Sequence, residues 1–292
     1  MKSMRDILKF YSTHGVITDP GNNAALFSGL PESCPDLISL IQGLFLHIHW
    51  AERYGVRPDT KQKEHVQARF VEKILEIIHN LDNRPLTEKR PLKKRFFGNC
   101  RDFSVMLVSL LRHQGIAAVA RCGFGTYFLP GKFEDHWVVE YWDDTKERWV
   151  MADPQIDDLM KERLALSFNP LDIPSGKFIN AAEAWHLCRS GKADPMDFGI
   201  FDMRGLWFIR GNLLRDLAAL NKMELLPWDG WGLSSQSEPE MSPSDYALLD
   251  KAAKAVMEEK EEIYSLYENP LLQVPPVIDS YTSSGVLRER IY

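Results

Sequence analysis

Cys100, His136 and Asp153 are the residues of this chain whose types and order suit covalent chemistry. Cys100 stands in Gly98-Asn99-Cys100-Arg101-Asp102-Phe103-Ser104, directly ahead of a run with helical periodicity, while His136 and Asp153 each fall on a segment that reads as a strand. A thiol attacks as its thiolate. A helix N-terminus favours that anion by up to about 1 kcal/mol, sometimes about 2. The unpaired N–H groups of the same first turn suit the oxyanion of a tetrahedral intermediate. An imidazole takes the thiol proton, and a carboxylate behind it fixes the ring. The order therefore predicts acyl transfer from an amide, ester or thioester, with Cys100 as nucleophile, His136 as base and Asp153 as orienter. Each residue also has a plainer reading. Cysteine is often a small buried hydrophobe, His136 suits a hydrogen-bonded core position, and Asp153 before Pro154 is a common turn starter. The chemistry is absent only if all three plain readings hold together.

The elements that must position these groups are legible around them. Phe103, Met106, Leu107, Leu110 and Leu111 recur at helical spacing, and Arg112-His113-Gln114-Gly115 supplies basic residues and then a glycine stop. Strands are expected over 116–124, 136–142 and 148–152, with Asp143-Asp144 in the turn between the last two. In such an antiparallel hairpin the start of the first strand lies beside the end of the second, which makes His136 and Asp153 candidate cross-strand neighbours. Upstream, helices are expected over 4–13, 35–53 and 61–81; downstream, over 181–190, 206–223 and 243–267. The last 25 residues, with Pro270, Pro275 and Pro276, are expected to wrap the surface or hang free.

Composition bounds the partners. The chain has 292 residues, 45% hydrophobic and 26% charged, with a net charge of −6 that argues against general nucleic-acid binding. Lys89-Arg90-Pro91-Leu92-Lys93-Lys94-Arg95 is the local exception. It reads either as a solvated loop or as a positive rim that steers acidic substrates or favours the thiolate. No apolar run of about 18 residues is present and the first residues lack a signal-peptide pattern, so no membrane contact and a cytoplasmic location are expected. Cys34, Cys100, Cys122 and Cys188 are widely spaced without a C-x-x-C pair, so neither a zinc site nor a disulfide framework is expected. His47-Ile48-His49, placed on a helix, would point its two rings apart and has no evident third ligand. No cofactor or metal is expected. Leu226-Pro227-Trp228-Asp229-Gly230-Trp231-Gly232 is an irregular aromatic segment that either caps a substrate cleft or packs helices on the core.

The central block resembles the transglutaminase-like superfamily on the papain-like cysteine fold, in a bacterial-type form. The resemblance rests on Gly98-Asn99-Cys100-Arg101-Asp102, Leu110-Leu111-Arg112-His113-Gln114-Gly115-Ile116, His136-Trp137-Val138-Val139-Glu140 and Trp149-Val150-Met151-Ala152-Asp153-Pro154, in that order. It implies an α+β fold: a papain-like/transglutaminase-like core, with the cysteine-bearing helix packed on an antiparallel sheet and helical N- and C-terminal additions. The expected division is a helical N-terminal part at 1–82, a catalytic core at 83–160 and a helical extension at 161–292. By carry-over the resemblance gives Cys100, His136 and Asp153 the roles of nucleophile, base and orienter; Asn99, Trp137, Gln155 and Trp228 are substrate-binding candidates on their positions in this sequence. The expected function is a cysteine-dependent hydrolase or acyltransferase on a peptide, protein or small amide substrate. The alternatives are a catalytically silent binding protein on the same fold, or an arylamine-type acyltransferase, whose Arg-Gly-Gly-x-Cys surroundings are absent here. A papain-style glutamine is also absent, Lys94 standing six residues before Cys100; Trp50 is the remaining candidate for a second oxyanion donor.

Overall fold

Helices and strands are mixed in the computed structural model of the chain, which describes residues 3–258, 261–282 and 285–292. They gather into two compact units. One comprises Ser3–Ala120 with Val138–Ile173, and the other Arg121–Trp137 with Pro174–Tyr292. Among the described residues, no helix is long and apolar enough to cross a membrane.

In the first unit the order is α1 (Met4–Tyr11), α2 (Cys34–Leu44), β1 (Phe45–His47), α3 (Thr60–Lys63), α4 (Val71–Leu81), β2 (Phe96–Gly98) and α5 (Cys100–His113). Then come β3 (Ala118–Gly125), β4 (Phe133–Asp143), β5 (Arg148–Ala152) and α6 (Asp158–Arg163), with β3 and β4 each running on between the units. Every residue of α5 from Cys100 to Arg112 is buried, so this helix is core on all its faces rather than on one stripe. Its polar positions are therefore obliged to find partners. Ser109 Oγ donates to the Thr18 carbonyl at 2.7 Å. Arg112 donates to the Tyr11 and Ala118 carbonyls at 3.2 and 3.1 Å and to Thr18 Oγ1 at 2.9 Å. The arginine expected merely to complement the helix dipole thus ties the end of α5 to the chain on both sides.

Two expected helices are interrupted, and the cause is the same for both. The helix expected over 35–53 stops at Leu44, because Phe45-Leu46-His47 pairs in parallel with Phe96-Phe97-Gly98. The apolar periodicity of this stretch fits a helix, but strand pairing beside the cysteine prevails. The helix expected over 61–81 is broken into α3, a 3-10 turn at Glu64–Gln67, and α4. Buried His65 stacks on Phe96 and accepts the Phe97 N–H at 3.2 Å through Nδ1, which holds β2 in place. The basic segment is a solvated loop in part only: Lys89, Lys93 and Lys94 are exposed, while its two arginines turn inward. Arg90 is fully buried and donates to the carbonyls of Asp82, Arg84, Pro85 and Glu88. Arg95 is buried too, and donates to the Arg90 and Gln42 carbonyls. These cations satisfy loop carbonyls rather than face solvent or substrate.

The hairpin of β4 and β5 is antiparallel as expected, with rungs from Asp143–Arg148 to Val139–Ala152. The other unit continues with β6 (Phe178–Asn180), α7 (Ala181–Arg189), β7 (Phe198–Ile200), β8 (Met203–Arg204), α8 (Leu206–Leu220), β9 (Asp229–Gly230), α9 (Pro243–Met257) and α10 (Glu262–Tyr267). It ends in β10 (Val277–Thr282) and β11 (Gly285–Arg290). Strand order in the main sheet is β6-β3-β4-β7-β8, with β5 also on β4. The helix expected over 243–267 is divided, α9 ending at Met257 and α10 beginning at Glu262. The tail is not loose either: β10 and β11 form a hairpin that pairs with β9, because Asp279 and Ser280 align with Gly230 and Asp229. Proline ends the preceding loop, and the strands begin where it stops.

Helices α7, α8 and α9 pack together in this unit. Asp216 of α8 is fully buried and accepts from Arg121 at 3.0 and 2.9 Å and from the Cys122 N–H at 2.8 Å. Removing one partner of such a pair strands the other charge. Asp216→Ala is expected to cost about 3–5 kcal/mol of stability, read as a lower urea midpoint by tryptophan fluorescence. A shift corresponding to less than about 1 kcal/mol, the scale of an exposed pair, would refute this account.

Candidate active site

The loop before Cys100 is fixed from two directions. Ile48 N–H donates to the Gly98 carbonyl at 2.8 Å, extending the β1–β2 pairing to within two residues of the cysteine. Gly98 is required there: a Cβ would sit 3.0 Å from the Phe96 ring and 3.1 Å from the Asp102 side chain. Asn99 then caps α5, its Oδ1 accepting the Asp102 N–H at 3.3 Å while the Asp102 carboxylate accepts the Asn99 N–H at 2.9 Å. This reciprocal box sets the first turn and puts Cys100 at its first helical position. Cys100 is 8% exposed. The buried Asn99 Nδ2 has no hydrogen-bond partner among the described residues. Asp102 is fully buried; burial pushes its carboxyl up to about 6 against the opposing pull of Arg101, 3.1 Å away.

Asp153 lies in the same unit as Cys100, one residue past the end of β5, and is fully buried. Its N–H leaves the ladder to donate to the Pro170 carbonyl at 2.8 Å, and its Oδ1 accepts the Gln155 N–H at 3.0 Å. The turn that follows is held by Gln42 of α2, whose Nε2 donates to the Pro154 and Ile156 carbonyls at 3.2 and 3.1 Å. Gln155 is itself buried, and with Gln42, His47, Phe103, Tyr54 and Asp157 it lines a narrow cleft of the first unit. Tyr54 donates to Asp157 at 2.7 Å there, and burial together with that carboxylate drives its phenol upward. His47 and His49 stand on β1 and the turn after it rather than on a helix, their ring centroids 5.7 Å apart. Trp50 is half-buried, with the Arg53 guanidinium 4.5 Å over its ring.

His136 and Trp137 lie on β4, both buried, at 2% and 1% exposure. Tyr127 and Phe128 set their rings edge-on to the imidazole, with centroids 5.9 and 4.8 Å away. They hold one ring orientation without supplying charge. These two were missed from sequence, although Gly125-Thr126-Tyr127-Phe128 is an aromatic turn leaving a strand, and that composition was the available signal. Gly125 makes the turn possible, since a Cβ there would meet the Phe128 ring at 2.7 Å. Trp228 lies in the second unit and lines a cavity shared with Asp135, the neighbour of His136 on β4.

The remaining thiols differ in kind. Burial pushes Cys34 up to about 12, and its hydrogen bond with Tyr141 offsets only part of that. Burial, aided by Asp194 and Asp197, pushes Cys188 up to about 11. Neither is set for nucleophilic work near neutrality. Among the described residues, no group of three or more histidine, cysteine, aspartate or glutamate side chains is arranged to hold a metal ion.

Compared with known proteins, residues 49–154 match the model of the transglutaminase-like superfamily. The matched stretch holds Cys100, His136 and Asp153 and ends at Pro154. No curated protein and no solved structure matches the chain.

Proposed function

Since the chain carries a transglutaminase-like domain, a family of typically cysteine-dependent hydrolases and acyltransferases, we propose that it is a cysteine-dependent hydrolase acting on a peptide-type or small amide carbonyl. Cys100 is the nucleophile, His136 its base and Asp153 the orienter of the imidazole. The thiol proton passes to His136, and Cys100 Sγ adds to the carbonyl carbon. The tetrahedral intermediate collapses as His136 protonates the leaving amine. Water, deprotonated by the same imidazole, then cleaves the thioester and releases the acid and the free thiol.

The observation that carries this reading is the position of Cys100 at the first turn of a buried, box-capped helix inside the matched stretch. Asn99 adds to it. Its unpartnered, buried Nδ2 is a donor one residue from the sulfur, and we assign it as a second oxyanion group beside the first-turn N–H groups. Hydrolysis is favoured over transfer to an acceptor because no acceptor-binding feature is legible beside these residues. The protein is assigned no role with nucleic acid or membranes.

Alkylation with iodoacetamide at pH 8 tests the proposal. With thiols near 12 and 11, Cys34 and Cys188 hold thiolate fractions of only about 10⁻⁴ and 10⁻³ at that pH. Cys100 is expected to label first by peptide mass analysis, at least tenfold faster than either, and to lose that advantage in His136→Ala. Because both competing thiols are raised, their labelling climbs with pH toward about 11 for Cys188 and about 12 for Cys34. Uniformly slow labelling of all the cysteines would refute the nucleophile.

A further inference from the structure

The second unit contains a cavity of about 710 Å³ that the proposed thiol chemistry does not use. That volume lies within the range of small-molecule sites, roughly 300–1,000 Å³. Four aromatic side chains line it, Trp207, Phe208, Trp228 and Tyr281, together with two cations, Arg210 and Arg215. Trp207 is 44% exposed, an unusual state for a tryptophan on a chain with a sizeable core.

The two arginines are the informative residues. Arg210 is 3% exposed, and it donates to the Gln236 carbonyl; Arg215 is half-buried and donates to Asn212 Oδ1 at 3.0 Å. Asp135 feels the charge of Arg215 and Arg210 that of Glu238, but neither arginine has a carboxylate within ion-pair distance among the described residues, and in both the buried Nε has no hydrogen-bond partner there. An unpaired, desolvated guanidinium is costly, and its fork geometry matches a carboxylate. The neighbouring acids are differently placed. Asp229 is fully engaged, accepting from the Leu226 N–H at 3.0 Å and from Ser280 Oγ at 2.9 Å. Asp135 accepts from Asn212 Nδ2 at 2.7 Å, and burial holds its carboxyl above the usual range. Glu238 is exposed at the rim. The cations thus keep unused donors, while the acids beside them are already bonded or solvated.

We propose that this cavity binds a small organic anion with a flat aromatic body, its carboxylate taken by Arg210 and Arg215 and its ring laid against Trp207 and Trp228. The guanidiniums supply charge-assisted bonds and the indoles supply area, so neither half of the ligand suffices alone. A bare inorganic anion leaves the aromatic lining unfilled, and a neutral arene leaves the guanidinium charges without a carboxylate. The proposal does not depend on the hydrolase reading: Trp228, a substrate-binding candidate from sequence, is used here for this cavity, and Cys100, His136 and Asp153 take no part in it.

Isothermal titration of the full-length protein with 2-naphthoate tests it, with naphthalene-2-carboxamide as the neutral counterpart. Saturable binding at one site is expected, at least tenfold tighter for the carboxylate and weaker at high salt. Trp207→Ala, at an exposed position, is expected to keep the fold and to weaken binding at least tenfold. Arg210→Gln is expected to remove the preference for the carboxylate; should it fail to fold, the half-buried Arg215→Gln reads the same quantity. No saturable binding at millimolar naphthoate would overturn the proposal. So would equal binding of the carboxamide, or binding unchanged by both Trp207→Ala and the arginine variant.

Discussion

Replacing Cys100 with serine is expected to lower turnover of an activated ester such as p-nitrophenyl acetate by about 10³-fold or more, and to abolish the acyl-enzyme seen by mass. The substitution changes one atom at a position fixed by the Asn99–Asp102 box, so geometry and stability should be nearly conserved. What changes is the nucleophile. A thiol needs only a modest stabilisation of its anion to attack near neutrality, whereas a hydroxyl needs far more than a helix terminus provides. His136→Ala is expected to fall by a comparable factor, and the double variant by no more than either single one, because residues that act as one unit are not additive. Asp153→Asn tests the orienter separately. Its fully buried Oδ1 receives the Gln155 N–H, so an amide retains one acceptor there while losing the charge behind the imidazole. A Cys100→Ser protein that kept more than about a tenth of wild-type turnover would rule out the thiol as nucleophile. Additive losses in the double variant would mean that Cys100 and His136 work independently.

The parts legible in the sequence were those in which local chemistry and tertiary context agree. The stop after α5 and the hairpin of β4 and β5 each follow from side chains acting on their own backbone. The parts that were not legible are those where a distant partner decides. Phe45-Leu46-His47 carries the periodicity of a helix but pairs with a strand 51 residues later, Phe45 aligning with Phe96. Arg90 and Arg95 look like a solvated cationic run, and only the folded loop shows that they satisfy carbonyls. The proline-bearing tail looks unstructured, and β9, a two-residue strand in an aromatic loop, is what gives β10 its partner. At the candidate site, Cys100, His136 and Asp153 could be singled out as candidates because thiol, imidazole and carboxylate are distinctive types. Tyr127, Phe128 and Gln42 could not, since aromatic and amide side chains near a turn have many uses. The unused donors of Arg210 and Arg215 were invisible for the same reason: a charge without a partner is a fact about surroundings.

Asp102→Ala is expected to cost about 3–5 kcal/mol of stability, as much as Asp216→Ala. Arg101 and Asp102 are both fully inaccessible, and Arg101 also donates to the Ala68 and Arg69 carbonyls at 3.4 and 2.5 Å. Removing the carboxylate takes from the buried guanidinium its Asp102 partner, and it frees the Asn99 N–H that the box had satisfied. The pH dependence follows from the carboxyl lying at about 6 in the fold against about 3.9 unfolded. The folded state binds the extra proton between those values, so this group's contribution is complete below about 4 and declines as pH rises through about 6. Wild type is therefore expected to lose stability relative to Asp102→Asn across that interval, measured by urea unfolding at a series of pH values. A parallel pair of curves would show that the carboxyl titrates alike in both states. The same substitution reaches the chemistry indirectly. Without the box the first turn of α5 frays, Cys100 loses its fixed place at the helix start, and its alkylation advantage over Cys34 and Cys188 should shrink even in those molecules that remain folded.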